Sequence, residues 1–187
     1  MSTDARRGGR LLGFGQHVGE ISQMAYVVED MEAAIDWWVR DMRTGPWFLL
    51  ESFLGADHVY RGAPSRADVR IAMAFAGHMQ IELIQPKDDH PSVYRELIAR
   101  RGYGFHHVGI ACDDVDAEIP AYTARGYTLA FTAGVPTGGH VAYLDGGAAH
   151  PHFIELIPAT PGMDAAFTAF WRASVDWDGR DPVRPFV

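Results

Sequence analysis

Apolar and polar positions change period several times along the chain, and each change marks an element. Residues 23–28 form a short apolar run, and Asp30 follows where its side chain can accept backbone N–H bonds. Ala34, Ile35, Trp38 and Met42 then recur at helical spacing. The same order returns later. The segment Gln23-Met-Ala-Tyr-Val-Val-Glu-Asp-Met-Glu-Ala-Ala-Ile35 lies on His107-Val-Gly-Ile-Ala-Cys-Asp-Asp-Val-Asp-Ala-Glu-Ile119 without a gap. Asp30 then falls on Asp114, Ala33 on Ala117 and Ile35 on Ile119. The repeated unit reads as strand, cap, helix. Pro120 stands about a turn and a half into the second copy, which predicts a shorter or kinked helix there.

A second pair of segments matches further along: Met79-Gln-Ile-Glu82-Leu-Ile-Gln-Pro86 against His152-Phe-Ile-Glu155-Leu-Ile-Pro158. Each ends at a proline, which cannot donate to a sheet ladder and so marks a strand end. Residues 69–76 and 140–144 supply further strands, with turn-rich stretches at 134–139 and 145–147. Between the copies, Pro91 and Ser92 open a helix that runs to about residue 101, where Gly102 and Gly104 stop it. The chain thus divides into a disordered or extended leader (1–18), a first module (19–86), a helical linker (87–104) and a second module (105–160). A helix over 163–173 and an aromatic tail holding Trp177 and Phe186 complete it (161–187), the tail packing on the domain or on a second copy.

Composition narrows the function classes. With 187 residues and 48% of them apolar, the chain can bury a sizeable core. Acidic residues outnumber basic ones by 24 to 16, and the basic ones are scattered, which argues against a nucleic-acid partner. Cys112 is the only cysteine, so an intrachain disulfide and a cysteine-built zinc finger are excluded, and a reducing, cytoplasmic setting fits best. No apolar run approaches the ~20 residues of a membrane-spanning helix.

A carboxylate in an otherwise apolar strand is costly unless it is paired, hydrogen-bonded or bound to a metal. Side chains alternate across a strand, so Glu82 faces away from Ile81 and Leu83, and Glu155 away from Ile154 and Leu156. The same parity puts Gln23 with Ala25 and Val27, and His107 with Gly109 and Ala111. Each copy therefore offers one polar group from its first strand and one Glu from its last, with small neighbours beside them. If the copies pack about a pseudo-twofold axis, an amide, an imidazole and two carboxylates converge, a donor set suited to one divalent ion with open positions.

These segments, above all His107-Val-Gly-Ile-Ala followed by Asp113-Asp114-Val115 and the two Ile-Glu-Leu-Ile strands, resemble the vicinal oxygen chelate superfamily. That group includes glyoxalase I, methylmalonyl-CoA epimerase, extradiol dioxygenases and bleomycin-resistance proteins, and the likeness spans roughly residues 21–158. It is strongest to glyoxalase-I-like and methylmalonyl-CoA-epimerase-like members. The resemblance implies an α+β fold of two tandem βαβββ modules whose curved mixed sheet forms a cup. It implies metal ligands at Gln23, Glu82, His107 and Glu155, the order of a zinc-type glyoxalase I, with nickel, cobalt or manganese as alternative ions.

For mechanism the resemblance implies proton transfer next to the carbonyl of a small carbonyl or acyl substrate, through an enediolate stabilised by the metal. Glu155 is the first choice of base, Glu82 the second, and the non-ligand Glu51 a third. His106 is expected to face away from His107 in a supporting role. The places of glyoxalase I that contact glutathione hold Val27, Pro86 and Tyr103 here, so the likeness does not extend to a glutathione-linked substrate. Trp37, Trp38, Trp47, Phe48 and Phe53 read first as core packing and second as a substrate wall. Two other readings belong to the same superfamily: a metal-free binder of small molecules, and an Fe(II) extradiol dioxygenase. The latter wants two His and one carboxylate, whereas only His107 holds a ligand place and His78, His140, His150 and His152 read as surface or turn residues. The cup forms within one chain or across a homodimer, and no membrane partner is expected.

Overall fold

The computed structural model of the chain describes residues 9–186. Its order is β1 (Ile21–Val27), α1 (Met31–Met42), β2 (Trp47–Phe53), β3 (Ala56–Tyr60), β4 (Ala63–Pro64), β5 (Val69–Ala76) and β6 (Met79–Pro86) in the first half. The second half holds α2 (Val93–Arg101), β7 (Gly104–Cys112), α3 (Val115–Thr123), β8 (Thr128–Gly134), β9 (His140–Asp145), β10 (Phe153–Pro158), α4 (Pro161–Ser174) and β11 (Val183–Pro185).

Local chemistry sets these boundaries. Asp30 accepts from the Ala33 amide at 2.9 Å and Asp114 from the Ala117 amide at 3.0 Å, so the aligned aspartates cap α1 and α3 alike. The second helix is the shorter, nine residues against twelve, and carries Pro120 inside it. Ser92 caps α2 through the Arg95 amide, and Gly102 ends it at φ 81°, where a side chain would be strained.

The strands form one curved, unclosed sheet in the order β11-β2-β5-β6-β1-β7-β10-β9-β8-β3-β4. Within each half the first strand pairs in parallel with the last, β1 with β6 and β7 with β10. The halves meet where β1 runs antiparallel to β7. This is the mixed α+β sheet expected, with one addition. The hairpin β3–β4 leaves the first half and pairs with β8 of the second, through Val59↔Thr132 and Tyr60↔Phe131.

Alternation along the strands splits the apolar side chains between two faces. On one face α1 covers Trp47, Ile81 and Leu83 with Met31 and Ile35, and α3 covers Leu144 and Leu156 with Val115 and Tyr122. The other face carries Ala25, Val27, Met73, Ile84, Tyr143 and Phe153, and it is packed by Tyr94 and Leu97 of α2 and by Met163, Phe167 and Phe170 of α4. Phe48 stacks on Phe170 with ring centres 4.0 Å apart, which fixes α4 against the sheet.

The segment before β1 departs from expectation. Residues 1–8 of the expected leader lie outside the described residues. From residue 9 onward the chain belongs to the core: Leu12 and Phe14 are fully buried, and the Phe14 ring meets Phe75 at 5.4 Å and Phe167 at 6.1 Å. Turns at glycines with positive φ, such as Gly15, present these side chains at spacings that match neither helix nor strand. Burying each contributes roughly 1.5–3 kcal/mol. Among the described residues no helix is long and apolar enough to cross a membrane.

Candidate metal centre

The four predicted site residues come from four neighbouring strands, β6, β1, β7 and β10, and register brings them together. Ala25 stands opposite both Glu82 and His107, while Gly109 stands opposite both Gln23 and Glu155. His107 is at the centre. Its Nε2 lies 3.2 Å from Gln23 Oε1, 3.4 Å from Glu82 Oε2 and 3.0 Å from Glu155 Oε2. All four side chains are buried. Ligand atoms of Glu82, His107 and Glu155 lie within 4.8 Å of one another, and this buried triad is able to hold a metal ion.

The donor set fits a divalent cation on the protein's own accounting of polar groups. Glu82 Oε2 and Glu155 Oε2 are buried and make no well-aligned hydrogen bond, although both lie within 3.4 Å of His107 Nε2. Buried acceptors left in that state cost about 1–3 kcal/mol each, more when charged. Burial, and then the charge of Glu155, push the Glu82 carboxyl well above its ordinary range, so without a cation it tends to keep its proton. No Lys or Arg is among the residues lining the cavity beside the triad. A bound cation would satisfy both oxygens and restore the ionised form.

Several residues that shape the centre were not singled out from sequence. Gln80 accepts from Gln23 Nε2 at 2.9 Å, which turns the amide oxygen of Gln23 toward His107. Its signal was available, because Gln80 stands two residues before Glu82 and therefore on the same face. Tyr143 pairs in register with Glu155 and sets its ring perpendicular to that of His107 at 4.9 Å. Tyr94 comes from α2, the linker helix, whose packing against the sheet no strand parity could place. Burial and the neighbouring carboxylates hold both phenols in the neutral, donating form.

His106 corrects a parity argument. Between Ala25 and Tyr26 the register with β7 skips a residue, and this bulge turns His106 to the same side as His107. The two Nδ1 atoms lie 2.8 Å apart, and His106 packs against Tyr94 and Phe153. Burial first, then His107, drive its pKa well below the ordinary range, so it stays neutral and props the central imidazole. Glu51 is corrected as well: it is exposed and ion-paired with Arg70 at 2.8 Å, away from the triad.

Beside the triad lies a cavity of about 60 Å³ with Leu50, Phe53, Met73 and Ile157 in its wall. Of the aromatic residues weighed from sequence, Phe53 lines this cavity, Phe48 and Trp47 are buried in packing, and Trp37 is largely exposed. Small size at Gly109 leaves no open space: a Cβ there would meet Gln23 Oε1 at 2.6 Å and Ile157 Cδ1 at 2.7 Å. The remaining histidines sit elsewhere. His78 stacks on Trp171, His150 on Tyr127, and His140 pairs with Asp116 at 3.3 Å.

Residues 22–143 match the family model described as the glyoxalase/bleomycin resistance protein/dioxygenase superfamily. No curated protein matches the chain in sequence. Among solved structures, the fold is similar to methylmalonyl-CoA epimerase from Mycobacterium tuberculosis, with 20% identity and a TM-score of 0.58 over 87% of this chain and 100% of that one. It is similar also to a variant of Streptomyces coelicolor methylmalonyl-CoA epimerase in complex with 2-nitronate-propionyl-CoA, with 18% identity and a TM-score of 0.56 over 76% of this chain and 95% of that one. At these identities the likeness is one of fold.

Proposed function

This chain belongs to the glyoxalase/bleomycin resistance protein/dioxygenase superfamily, and we propose that it is a metal-dependent isomerase, epimerase or lyase that moves a proton next to a substrate carbonyl. Gln23, Glu82, His107 and Glu155 would hold one divalent ion, zinc by preference, with nickel, cobalt or manganese as alternatives. When bound, the ion supplies Lewis acidity at a substrate oxygen. The observation that carries the reading is the pair of buried carboxylate oxygens, neither in a well-aligned hydrogen bond, that share one imidazole nitrogen.

The protein's own groups divide the remaining work. Glu155, which can serve as a base only when loosened from the ion, takes the proton from the carbon beside the carbonyl, and Glu82 is the second candidate on the same condition. The strand order sets these two carboxylates on either side of the β1–β7 seam, an arrangement suited to handling both faces of one carbon or two adjacent carbons. The neutral phenols of Tyr94 and Tyr143 line the same cavity and can donate to a substrate oxygen as charge develops. The apolar wall excludes water from the carbon acid.

Glu155→Gln tests the assignment. It should keep the fold and lower turnover by at least ~100-fold, the low end for loss of an acid–base group; near-normal turnover removes Glu155 as the base. A second reading, a metal-free binder of small molecules, is favoured by the apolar cavity wall. Elemental analysis separates them: about one ion per chain supports the enzyme, and none after supplementation supports the binder. A dioxygenase reading has less support, because His106 packs on aromatic rings with its Nε2 3.3 Å from the Val93 carbonyl oxygen. Oxygen uptake with catechols would restore it.

A further inference from the structure

The cavity beside the triad is small, about 60 Å³. Phe167 of α4, Phe186 of the tail and residues 135–137 are among its lining groups. These groups are tied into the fold. β11 pairs with β2, the Phe186 amide donates to the Leu49 carbonyl at 3.1 Å, and the Phe186 ring meets Phe170 at 5.2 Å. Across from it, Thr160 Oγ1 donates to the Thr137 carbonyl at 2.7 Å and ties the loop to the start of α4.

Charge points the same way as size. Two carboxylates and one divalent ion sum to zero, so the loaded centre carries no surplus positive charge for an anionic headgroup. No Lys or Arg is among the residues lining the cavity, so no cation there would offset the charge of an anionic group taken into it. Removing such groups from water without a cation is strongly unfavourable. What the lining does offer is apolar side chains and the two phenol donors, Tyr94 and Tyr143.

We infer that the substrate is a small, uncharged carbonyl compound presented free of any charged carrier, and that Phe186 sets its upper size. The assignment rests on the proton-transfer reading but concerns the shape and charge of its substrate. Two readouts separate them: α-hydrogen exchange in deuterated water followed by NMR on metal-loaded protein, and calorimetric binding. The free probes are hydroxyacetone and acetoin; the carrier-bound probes are propionyl-CoA and the glutathione hemithioacetal of methylglyoxal; 2-hydroxyacetophenone is the oversized probe.

Binding and exchange with the free probes alone are expected. Phe186→Ala should raise the use of 2-hydroxyacetophenone relative to acetoin by at least about tenfold, the discrimination that a methylene or so of pocket space carries. Exchange or binding with a carrier-bound probe at a rate or affinity matching acetoin overturns the inference and leaves proton transfer standing. Binding of acetoin without exchange keeps the size and charge assignment and removes the proton-transfer reading. No binding of either free probe, or unchanged discrimination in Phe186→Ala, overturns the inference.

Discussion

Replacing Gly109 with alanine would press on the centre through Gln23 while leaving all four proposed ligand side chains in the sequence. The added Cβ would stand 2.6 Å from Gln23 Oε1, 2.7 Å from Ile157 Cδ1 and 2.8 Å from Gln23 Cβ. The first two are the far ends of flexible side chains, but Gln23 Cβ is held by the backbone, and relieving it requires β1 and β7 to part by several tenths of an ångström. Overpacking of this kind costs about 1–3 kcal/mol. Gln23 also leaves its bonds to Gln80 and His107, at 2.9 and 3.2 Å, at about 1 kcal/mol each. The sum is roughly 3–5 kcal/mol, which for a chain of this size lowers the thermal midpoint by roughly 6–20 °C. Metal affinity should fall by about tenfold or more as the amide turns away. Calorimetric unfolding and metal titration read the two effects separately. A midpoint within about 2 °C of wild type, together with unchanged affinity, would refute the packing account of how Gln23 is aimed.

Metal uptake should depend on pH through Glu82. Its folded pKa is raised above the ordinary 4.5, so in metal-free protein this group adds stability below that value and loses it as pH rises through the raised one. Metal binding should therefore release protons and tighten as pH rises through this window, and titrations in buffers of different ionisation enthalpy that show no release would contradict it. His58 is buried with both ring nitrogens unpartnered, and burial lowers its pKa from the ordinary 6.5. Its neutral form is favoured on folding, so stability should fall as pH drops below about 6.5, and urea titrations of His58→Leu should show a shallower loss. Asp30→Ala and Asp114→Ala should each cost about 1 kcal/mol by removing matching helix caps, and equal midpoints to wild type would deny them that role.

The parts of the fold that repetition encodes were readable before any coordinates. Two aligned Asp caps and two Ile-Glu-Leu-Ile strands carry local signals of short range, and parity alone aims Glu82, His107 and Glu155 to a shared face. What escaped were features decided by pairing between distant segments. Whether His106 faces with or against His107 depends on a skipped residue opposite Ala25, a property of two strands rather than one. The hairpin β3–β4 has the composition of a loop, and only its pairing with β8 makes it sheet. Leu12 and Phe14 lie among glycines with no period to betray burial, and Tyr94 reaches the centre because α2 folds back over the sheet.

That hairpin binds the fate of the halves together. An internal duplication could in principle yield two lobes that fold apart and meet edge to edge along β1 and β7. Here residues 56–64, donated by the first copy, extend the far margin of the second, while Arg61 grips Glu96 of α2 and Asp145 of β9. Neither copy is therefore expected to fold alone. The chain should melt as one cooperative body, and severing it between the copies should yield fragments that are structured only in each other's company.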